Sequence, residues 1–587
     1  MKRLLLILSF VTCHLSINSA AAQGWPENYG GIMLQGFYWD SYSDSKWTQL
    51  TAQADELSQH FDLIWIPNSG KTSDFANSGR QTMGYDPCYW LDHNTCWGTE
   101  TELRQMISTF KKKGTGFIED VVINHKNGLK SWVDFPNETV GTYTITWDNQ
   151  DYSGICQDDE CNSNGYYTSG AKDTGDNFDG YRDLDHTNLK VQQNVKTYLT
   201  YLIKEIGYVG FRYDMVKGYA ARYTGQYNAT AQPEFSVGEY WDGDKTKVVN
   251  WLNGTKQEGK IQSAAFDFPL KYKLNSAFGS GQWNQLGLQV LANDKQYQRY
   301  AVTFVDNHDS YREQSRLRTN VCAANAFILT MPGTPCLFLK HWQAYKGTLK
   351  RLIALRKVAG ITNQSEIVSA QSEGEGFQLT VKGSKGTVTL LLGNAEPPAG
   401  DWQLAMEGKN FKVYTSKDVN LTTVKAITDN DAEQEDAPTT IPDFCTVTAG
   451  ETCAFFEAPV TWGSQIYTWA WMNGGDGKNY VGTGWPGVAA TLIGTADNGN
   501  KVFKWTSTKT TAPDNIIFSD GGNQTDDLKF VNGGYYNQEG LKANVITGIR
   551  AITTDRGDAA VYSLDGRRMK HVKPGIYIRN NKKLIIR

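Results

Sequence analysis

The chain reads as an α/β protein whose main body is a (β/α)8 TIM barrel, with an inserted domain after strand 3 and all-β domains after the barrel. Three observations predict this. Eight short apolar runs recur between residues 32 and 339, helical stretches separate them, and beyond about residue 360 the pattern changes to short strands between Gly and Pro turns.

The expected strands are Ile32 to Phe37, Leu63 to Ile66, Thr115 to Ile123, Val209 to Tyr213, Glu234 to Val237, Ala264 to Phe268, Ala301 to Val305 and Pro335 to Leu339. Most are too apolar to alternate, as strands covered on both faces are. Helices are expected at Thr101 to Lys113, Lys190 to Glu205 and Thr348 to Val358. One interval, residues 126–182, is too long for a simple crossover and rich in Gly, Asn, Asp and aromatics, so it reads as a small domain inserted after the third strand. The barrel domain then spans 23–358, a β-rich domain 359–428, an acidic Pro-containing linker 429–443, a second β-rich unit 444–540 and a small β-domain 545–587.

The first 22 residues carry Lys2 and Arg3, an apolar run Leu4 to Val11 and the small residues Ser19 to Ala22, which is the pattern of a cleaved secretory signal too short to span a bilayer. This predicts a secreted or cell-surface protein, with the periplasm as the alternative. A formal net charge of -4 over 587 residues, with both signs interspersed, excludes neither protein nor sugar partners but gives no footprint for nucleic acid. No later segment is apolar enough to be membrane-spanning. Eight of the nine cysteines lie beyond the signal and fall into sequence-local pairs: Cys88 with Cys96, Cys156 with Cys161, Cys322 with Cys336, and Cys445 with Cys453. In an exported protein these predict disulfides, each worth roughly 2–3 kcal/mol, although Cys322 and Cys336 also suit plain buried thiols. Cys-x-x-Cys and paired-histidine spacings of a zinc site do not occur.

Chemistry concentrates at the carboxyl ends of the expected strands, where barrel enzymes place it. In Gly210 to Tyr219, Arg212 and Asp214 are two apart on a strand and so point the same way. The arginine would keep the aspartate ionised and oriented, as a nucleophile requires; the alternative is a structural ion pair closing a barrel strand. Similar clusters follow the third strand (Asp120 to His125), the fifth (Val237 to Trp241) and the seventh (Phe304 to Asp309).

Together these four stretches resemble the signatures of the α-amylase family of glycoside hydrolases. Asp183-Leu-Asp185-His186, Gln35-Gly-Phe37, Gly84 to Pro87 and Pro332 to Pro335 are similar to further family positions, and Lys217-Gly218-Tyr219 resembles the plant-like branch, where other members have histidine at position 218. The resemblance covers roughly residues 31–415. It implies a retaining hydrolase of α-1,4-glucosidic bonds, with starch and related α-glucans as substrates. Asp214 would be the nucleophile, Glu239 the acid/base, and Asp309 a third carboxylate gripping sugar hydroxyls. Tyr85, His125, Arg212, Lys217 and His308 would line the substrate site. Tyr240 and Trp241, beside Glu239, would limit its solvation and raise its pKa. The resemblance also implies Ca2+, held by the side chains of Asn124, Asp173 and Asp183 and by backbone oxygens near Asp176 and Gly218; hard oxygen donors suit that ion.

In the second β-rich unit, Tyr467, Trp469 and Trp471 alternate along one strand and so share one face, with Trp485-Pro486-Gly487 following. Such a stripe is either core or a stacking platform. Through Gly521 to Thr525 the segment resembles starch-binding modules, which implies Trp469, Trp485 and Gln524 as sugar contacts, with Tyr467 and Trp471 taking that role in the other strand register. The final segment, Val561 to Arg587, resembles the C-terminal sorting segments of secreted Bacteroidetes proteins, implying outer-membrane secretion machinery as a partner. The sequence thus predicts an endo-acting α-amylase. An oligosaccharide-forming or transglycosylating relative stands as one alternative and a non-catalytic surface glycan-binding protein as another; all three acidic residues are present, which favours catalysis.

Overall fold

The computed structural model describes residues 24–545 apart from 73–77, 81, 313–314, 429–440, 449, 473–479, 497–498, 510, 526 and 539, together with the backbone of four strands beyond residue 560. The expected signal at 1–22 and most of the expected linker lie outside the described residues. The chain forms two compact units, Met1–Asp436 and Ala437–Arg587.

In the first unit eight parallel strands close into a barrel: β1 (Met33–Gln35), β2 (Leu63–Ile66), β3 (Gly116–Val121), β4 (Gly210–Tyr213), β5 (Phe235–Gly238), β6 (Ala264–Phe266), β7 (Ala301–Phe304) and β8 (Thr334–Phe338). Each strand pairs with its neighbours in sequence, and β8 returns to β1. Nearly all their residues are buried, since the barrel interior faces one side of each strand and the helical ring the other. Helix Glu100–Lys111 shows how the ring is made. Thr99 caps its first turn reciprocally with Glu102, and Leu103, Met106, Ile107 and Phe110 at helical spacing press onto the barrel.

The insertion leaves and re-enters through one small antiparallel ladder, His125–Lys126 against Arg182–Asp183. Just inside it Lys126 is fully buried. Its ammonium donates to the Cys88 carbonyl at 2.7 Å and sits 4.3 Å from the centre of the Trp90 ring, with Trp147 and Phe135 also facing it.

After the barrel, β9 (Glu366–Glu373), β10 (Gly376–Gly383), β11 (Gly386–Leu392), β12 (Trp402–Gly408) and β13 (Phe411–Ser416) form an antiparallel sheet in the order β9-β10-β11-β13-β12. Its apolar face joins the barrel core, with Phe377 against Phe327.

The second unit contains a five-stranded sheet and a four-stranded sheet packed through Phe456 and Phe518, whose rings stack at 4.6 Å. The two sheets face one another as a β-sandwich. At the end of the chain the four strands Val561–Tyr562, Arg568–Met569, Gly575–Arg579 and Lys582–Ile586 form an antiparallel sheet. Among the described residues no helix is long and apolar enough to cross a membrane.

The expected disulfides are not formed. The thiols engage other groups instead: Cys88 donates to the Gly128 carbonyl, Cys156 to the Asp173 carboxylate, and Cys322 and Cys336 lie on a helix and on β8 in the apolar core.

Glu119 on β3 is buried beside Ser69, whose amide and hydroxyl both donate to it, and burial pushes its carboxyl up to about 8. A raised folded pKa stabilises below the unfolded value near 4.5 and is lost as pH rises through about 8, at up to about 1.4 kcal/mol per unit. Thermal melting followed from pH 5 to 9 is expected to fall in the wild type and to fall less steeply in Glu119→Gln; parallel curves would refute this.

Candidate active site

Arg212 organises the open end of the barrel. Strand pairing sets Asp120 on β3 directly beside Arg212 on β4, and the i to i+2 repeat puts Asp214 on the same side. Nη1 of Arg212 lies 2.6 Å from Asp120 Oδ1 and 2.7 Å from Asp214 Oδ1, and Nη2 lies 2.6 Å from Glu239 Oε1, just past β5. The guanidinium is sealed from solvent and sits 5.0 Å from the centre of the Trp65 ring. Three buried carboxyl groups on one cation cannot all be ionised cheaply, because a single positive charge leaves two negative charges uncompensated in a poorly solvated space.

Glu239 is the group pushed furthest toward its protonated form. Burial raises its pKa well above the carboxylate range, opposed by Arg212 and reinforced by Asp214 and Asp309. Burial also raises Asp214, against the pull of Arg212. Both carboxyl groups contact the one guanidinium, and each negative charge disfavours the other, which holds Glu239 toward its protonated form. Glu239 Oε2 accepts the Met215 amide at 3.2 Å, and Met215 reaches that position in the left-handed region at φ +44°, a cost the chain bears beside the site. Glu239 Oε1 has no aligned hydrogen-bond donor despite its short contact with Arg212. The rings of Tyr240 and Trp241 pack toward Trp251 and Phe268.

A chain of hydrogen bonds fixes the opposite wall. Gln35 Nε2 is 3.0 Å from His308 Nδ1, His308 Nε2 is 2.6 Å from the Tyr85 hydroxyl, and that hydroxyl donates to Asp120 Oδ2 at 2.8 Å. One proton placement satisfies all three: Nδ1 accepts from Gln35 and Nε2–H donates to Tyr85. Burial lowers the His308 pKa to about 4, so the ring is neutral. Tyr85 stacks on His308 with ring planes 10° apart. Asp309 takes the Trp39 indole N–H at 2.8 Å and is more open than Asp214 or Glu239. The turn presenting His308 and Asp309 is held by Asp306, which binds Lys271 at 2.5 Å, and by reciprocal bonds between Asn307 and Ser310.

His125 is placed differently from the sequence expectation. Its Nε2 lies 2.9 Å from the Tyr85 carbonyl and its Nδ1 3.3 Å from the Asn124 amide, so both nitrogens have protein partners. Lys217 stands at the rim, 3.6 Å from Asp176 and 3.8 Å from Asp242. Sequence reasoning gave no role to Asp120, Trp39, Trp65 or Met215. Asp120 opens a recognised motif, but its partnership with Arg212 depends on cross-strand register.

The residues expected to hold calcium converge where the insertion meets the barrel. Asn124 Nδ2 donates to Asp183 Oδ1 at 3.0 Å, leaving Asn124 Oδ1 against Gly218, where an added Cβ would approach it to 2.0 Å. Gly175 packs as closely on the Lys217 carbonyl, and the Asp176 amide donates to that carbonyl at 2.8 Å. Burial raises the pKa of both Asp173 and Asp183, with Asp158 and Asp159 adding charge near Asp173 and Asp173 adding charge near Asp183, and Asp173 Oδ2 is shielded from solvent with no hydrogen-bond donor. Two crowded carboxylates, an orphaned oxygen and an amide oxygen fit a hard divalent cation. The Asp176 carboxylate turns to Lys217, so only its backbone is suited to the set.

In the second unit Tyr467, Trp469 and Trp471 do share the outward face of their strand, with Thr468 and Ala470 inward. Trp485 is 51% exposed and its ring centre is 5.9 Å from that of Trp469. Gln524 is exposed on the adjoining turn, bridged to Ser519 opposite Tyr467.

A parallel barrel with buried carboxyl groups gathered on one guanidinium at its open end defines a barrel enzyme of acid–base chemistry. Residues 71–351 match the family model of the alpha amylase catalytic domain, and residues 454–530 match starch-binding module 26. "Alpha-amylase 3, chloroplastic" of Arabidopsis thaliana is 28% identical over 436 residues, covering 68% of this chain and 45% of that protein. "Probable alpha-amylase 2" of the same plant is 27% identical over 407 residues, covering 65% of this chain and 93% of that protein. A glucan 1,4-alpha-maltotetraohydrolase of Stutzerimonas stutzeri is 29% identical over 420 residues, covering 66% and 73%. The chain thus spans less than half of the first relative and most of the second. It carries a glycoside hydrolase domain of the alpha-amylase family together with a starch-binding module.

Two outcomes follow from the site. Tyr85→Phe removes the hydroxyl shared by buried Asp120 and His308, and is expected to destabilise the fold by about 1–3 kcal/mol, read as a lower melting temperature, and to lower kcat/KM on soluble starch. Asp309 raises the Glu239 pKa, so the residual activity of Asp309→Asn is expected to lose its alkaline limb at lower pH than the wild type. An unmoved limb in the pH profile of kcat/KM would count against Glu239 as the proton holder.

Proposed function

We propose that this protein is a secreted, retaining, endo-acting α-amylase that cleaves α-1,4-glucosidic bonds in starch. The observation that carries the reading is the buried pair Asp214 and Glu239 on one guanidinium, with Glu239 raised well above the carboxylate range by burial. In this reading Asp214 attacks the anomeric carbon while Glu239 gives its proton to the departing glycosidic oxygen. Glu239 then takes a proton from water, whose oxygen displaces Asp214 and restores the sugar's configuration. Retention needs carboxyl groups about 5 Å apart, inversion roughly 6.5–9.5 Å, and two groups sharing one guanidinium suit the shorter spacing. Asp309, His308 and Tyr85 grip the sugar, Lys217 meets the leaving portion of the chain, and His125 holds the Tyr85 backbone.

Calcium, when bound, would supply positive charge that ties the insertion to the barrel. Asn124, Asp173 and Asp183 would hold it with their side chains, and Asp176 and Gly218 with backbone oxygens. Trp469, Trp485 and Gln524, with Tyr467 and Trp471 on the same face, would bind glucose rings by stacking and hydrogen bonding. Export rests on the signal-like first 22 residues, and a role for outer-membrane secretion machinery on the tail. The maltotetraohydrolase relatives favour one second reading, a member that releases one preferred oligosaccharide from the same carboxyl groups.

The test is reducing-end release from soluble starch and pullulan. Glu239→Gln is expected to lose roughly 10³-fold in rate while still binding starch. A chelator is expected to lower the melting temperature and the rate, with recovery on adding calcium. Unchanged hydrolysis by the Gln variant would sink the catalytic assignment. A single early product in place of a spread of lengths would move the reading to the oligosaccharide-forming enzyme.

A further inference from the structure

The insertion brings a sulfur to the edge of the oxygen cluster described above. Cys156 is buried, and its Sγ lies 3.3 Å from Asp173 Oδ1. Its amide donates to the Asp183 carbonyl at 2.9 Å, which pins the cysteine to the second carboxylate-bearing segment. Asp158 approaches from the other side, where its Oδ1 accepts the Asp173 amide at 2.9 Å. One donor atom from each of Cys156, Asp158 and Asp173 lies within 4.8 Å of the other two. The orphaned Asp173 Oδ2, shielded from solvent and without a donor, leaves this carboxylate short of positive charge.

The spacing suits a small, thiophilic ion. Zinc bonds of about 2.3 Å to sulfur and about 2.0 Å to oxygen at a tetrahedral angle set those two donors about 3.5 Å apart. The observed 3.3 Å between Cys156 and Asp173 is close to that edge. Calcium takes oxygen ligands, whereas thiolate selects zinc and its heavier relatives.

We propose that Cys156, Asp158 and Asp173 form a soft-metal site for zinc or cadmium that shares Asp173 with the calcium set, and so rests on the calcium reading for its competitor. On binding, Cys156 releases its thiol proton to water and its sulfur bonds the metal; Asp158, on the solvent side, completes the protein donors. Calcium and a thiophilic ion then exclude one another, because Asp173 cannot serve both. Zinc would thereby loosen the junction between insertion and barrel.

The experiment is a cadmium titration of the full chain after metal removal, read by the ultraviolet charge-transfer absorbance of a cadmium–thiolate bond. One equivalent is expected to develop the band in the wild type. Cys156→Ser is expected to abolish it, Asp158→Asn to weaken cadmium binding about tenfold, and excess calcium to erase it in the wild type. Absence of the band, its persistence in Cys156→Ser, or its survival in saturating calcium would each overturn the proposal. Melting of Cys156→Ser with and without calcium reads the oxygen set apart from the sulfur. A calcium-dependent rise there, with no cadmium band in the wild type, overturns the soft site and leaves the calcium reading standing.

Discussion

One buried guanidinium governs the chemistry of this barrel. Arg212 is paired to three carboxyl groups from three adjacent strands, and each pairing is dictated by backbone: Asp120 by register across β3 and β4, Asp214 by the two-residue repeat, and Glu239 by the next strand over. Removing the cation would leave buried acids with nothing to balance them, so the arrangement stands or falls as a unit. Its charge deficit is also its function. With one positive charge for several acids, a proton must stay in the cluster, and the barrel wall sets which carboxyl keeps it.

A second wall complements the first without adding charge. Gln35, His308 and Tyr85 form a neutral relay that ends on Asp120, so the hydroxyl of Tyr85 and the guanidinium of Arg212 approach that one carboxylate from two sides. Asp120 thereby becomes the shared acceptor that orients both walls. Keeping His308 neutral matters here, because a second buried cation would favour ionisation of the neighbouring carboxyl groups and work against the proton held on Glu239.

Much of this was legible in the chain, and for identifiable reasons. The strands were readable because parallel strands covered on both faces are continuous apolar runs; Leu63–Ile66 falls on its expected bounds, and the others shift by three residues or fewer. Arg212 and Asp214 were readable because a strand's period is two. The partnership of Arg212 with Asp120 was not, since register between distant segments has no local signature. The cysteines misled because closeness in sequence was taken for closeness of sulfur atoms: Cys88 and Cys156 each spend their thiol on an oxygen from another segment. His125 was assigned to the sugar, yet its ring nitrogens meet Tyr85 and Asn124, a choice made by the turn that follows β3.

The short ladder at the root of the insertion has a further implication. His125 and Asp183 are paired through backbone whatever lies between them, so the ends of this long excursion are already closed. The entropic cost of closing a loop grows only slowly with its length. Residues 126–182 can therefore lengthen or shorten over evolutionary time without shifting the register of β3 and β4, and the outer surface of the enzyme is free to diversify around an unmoving catalytic rim.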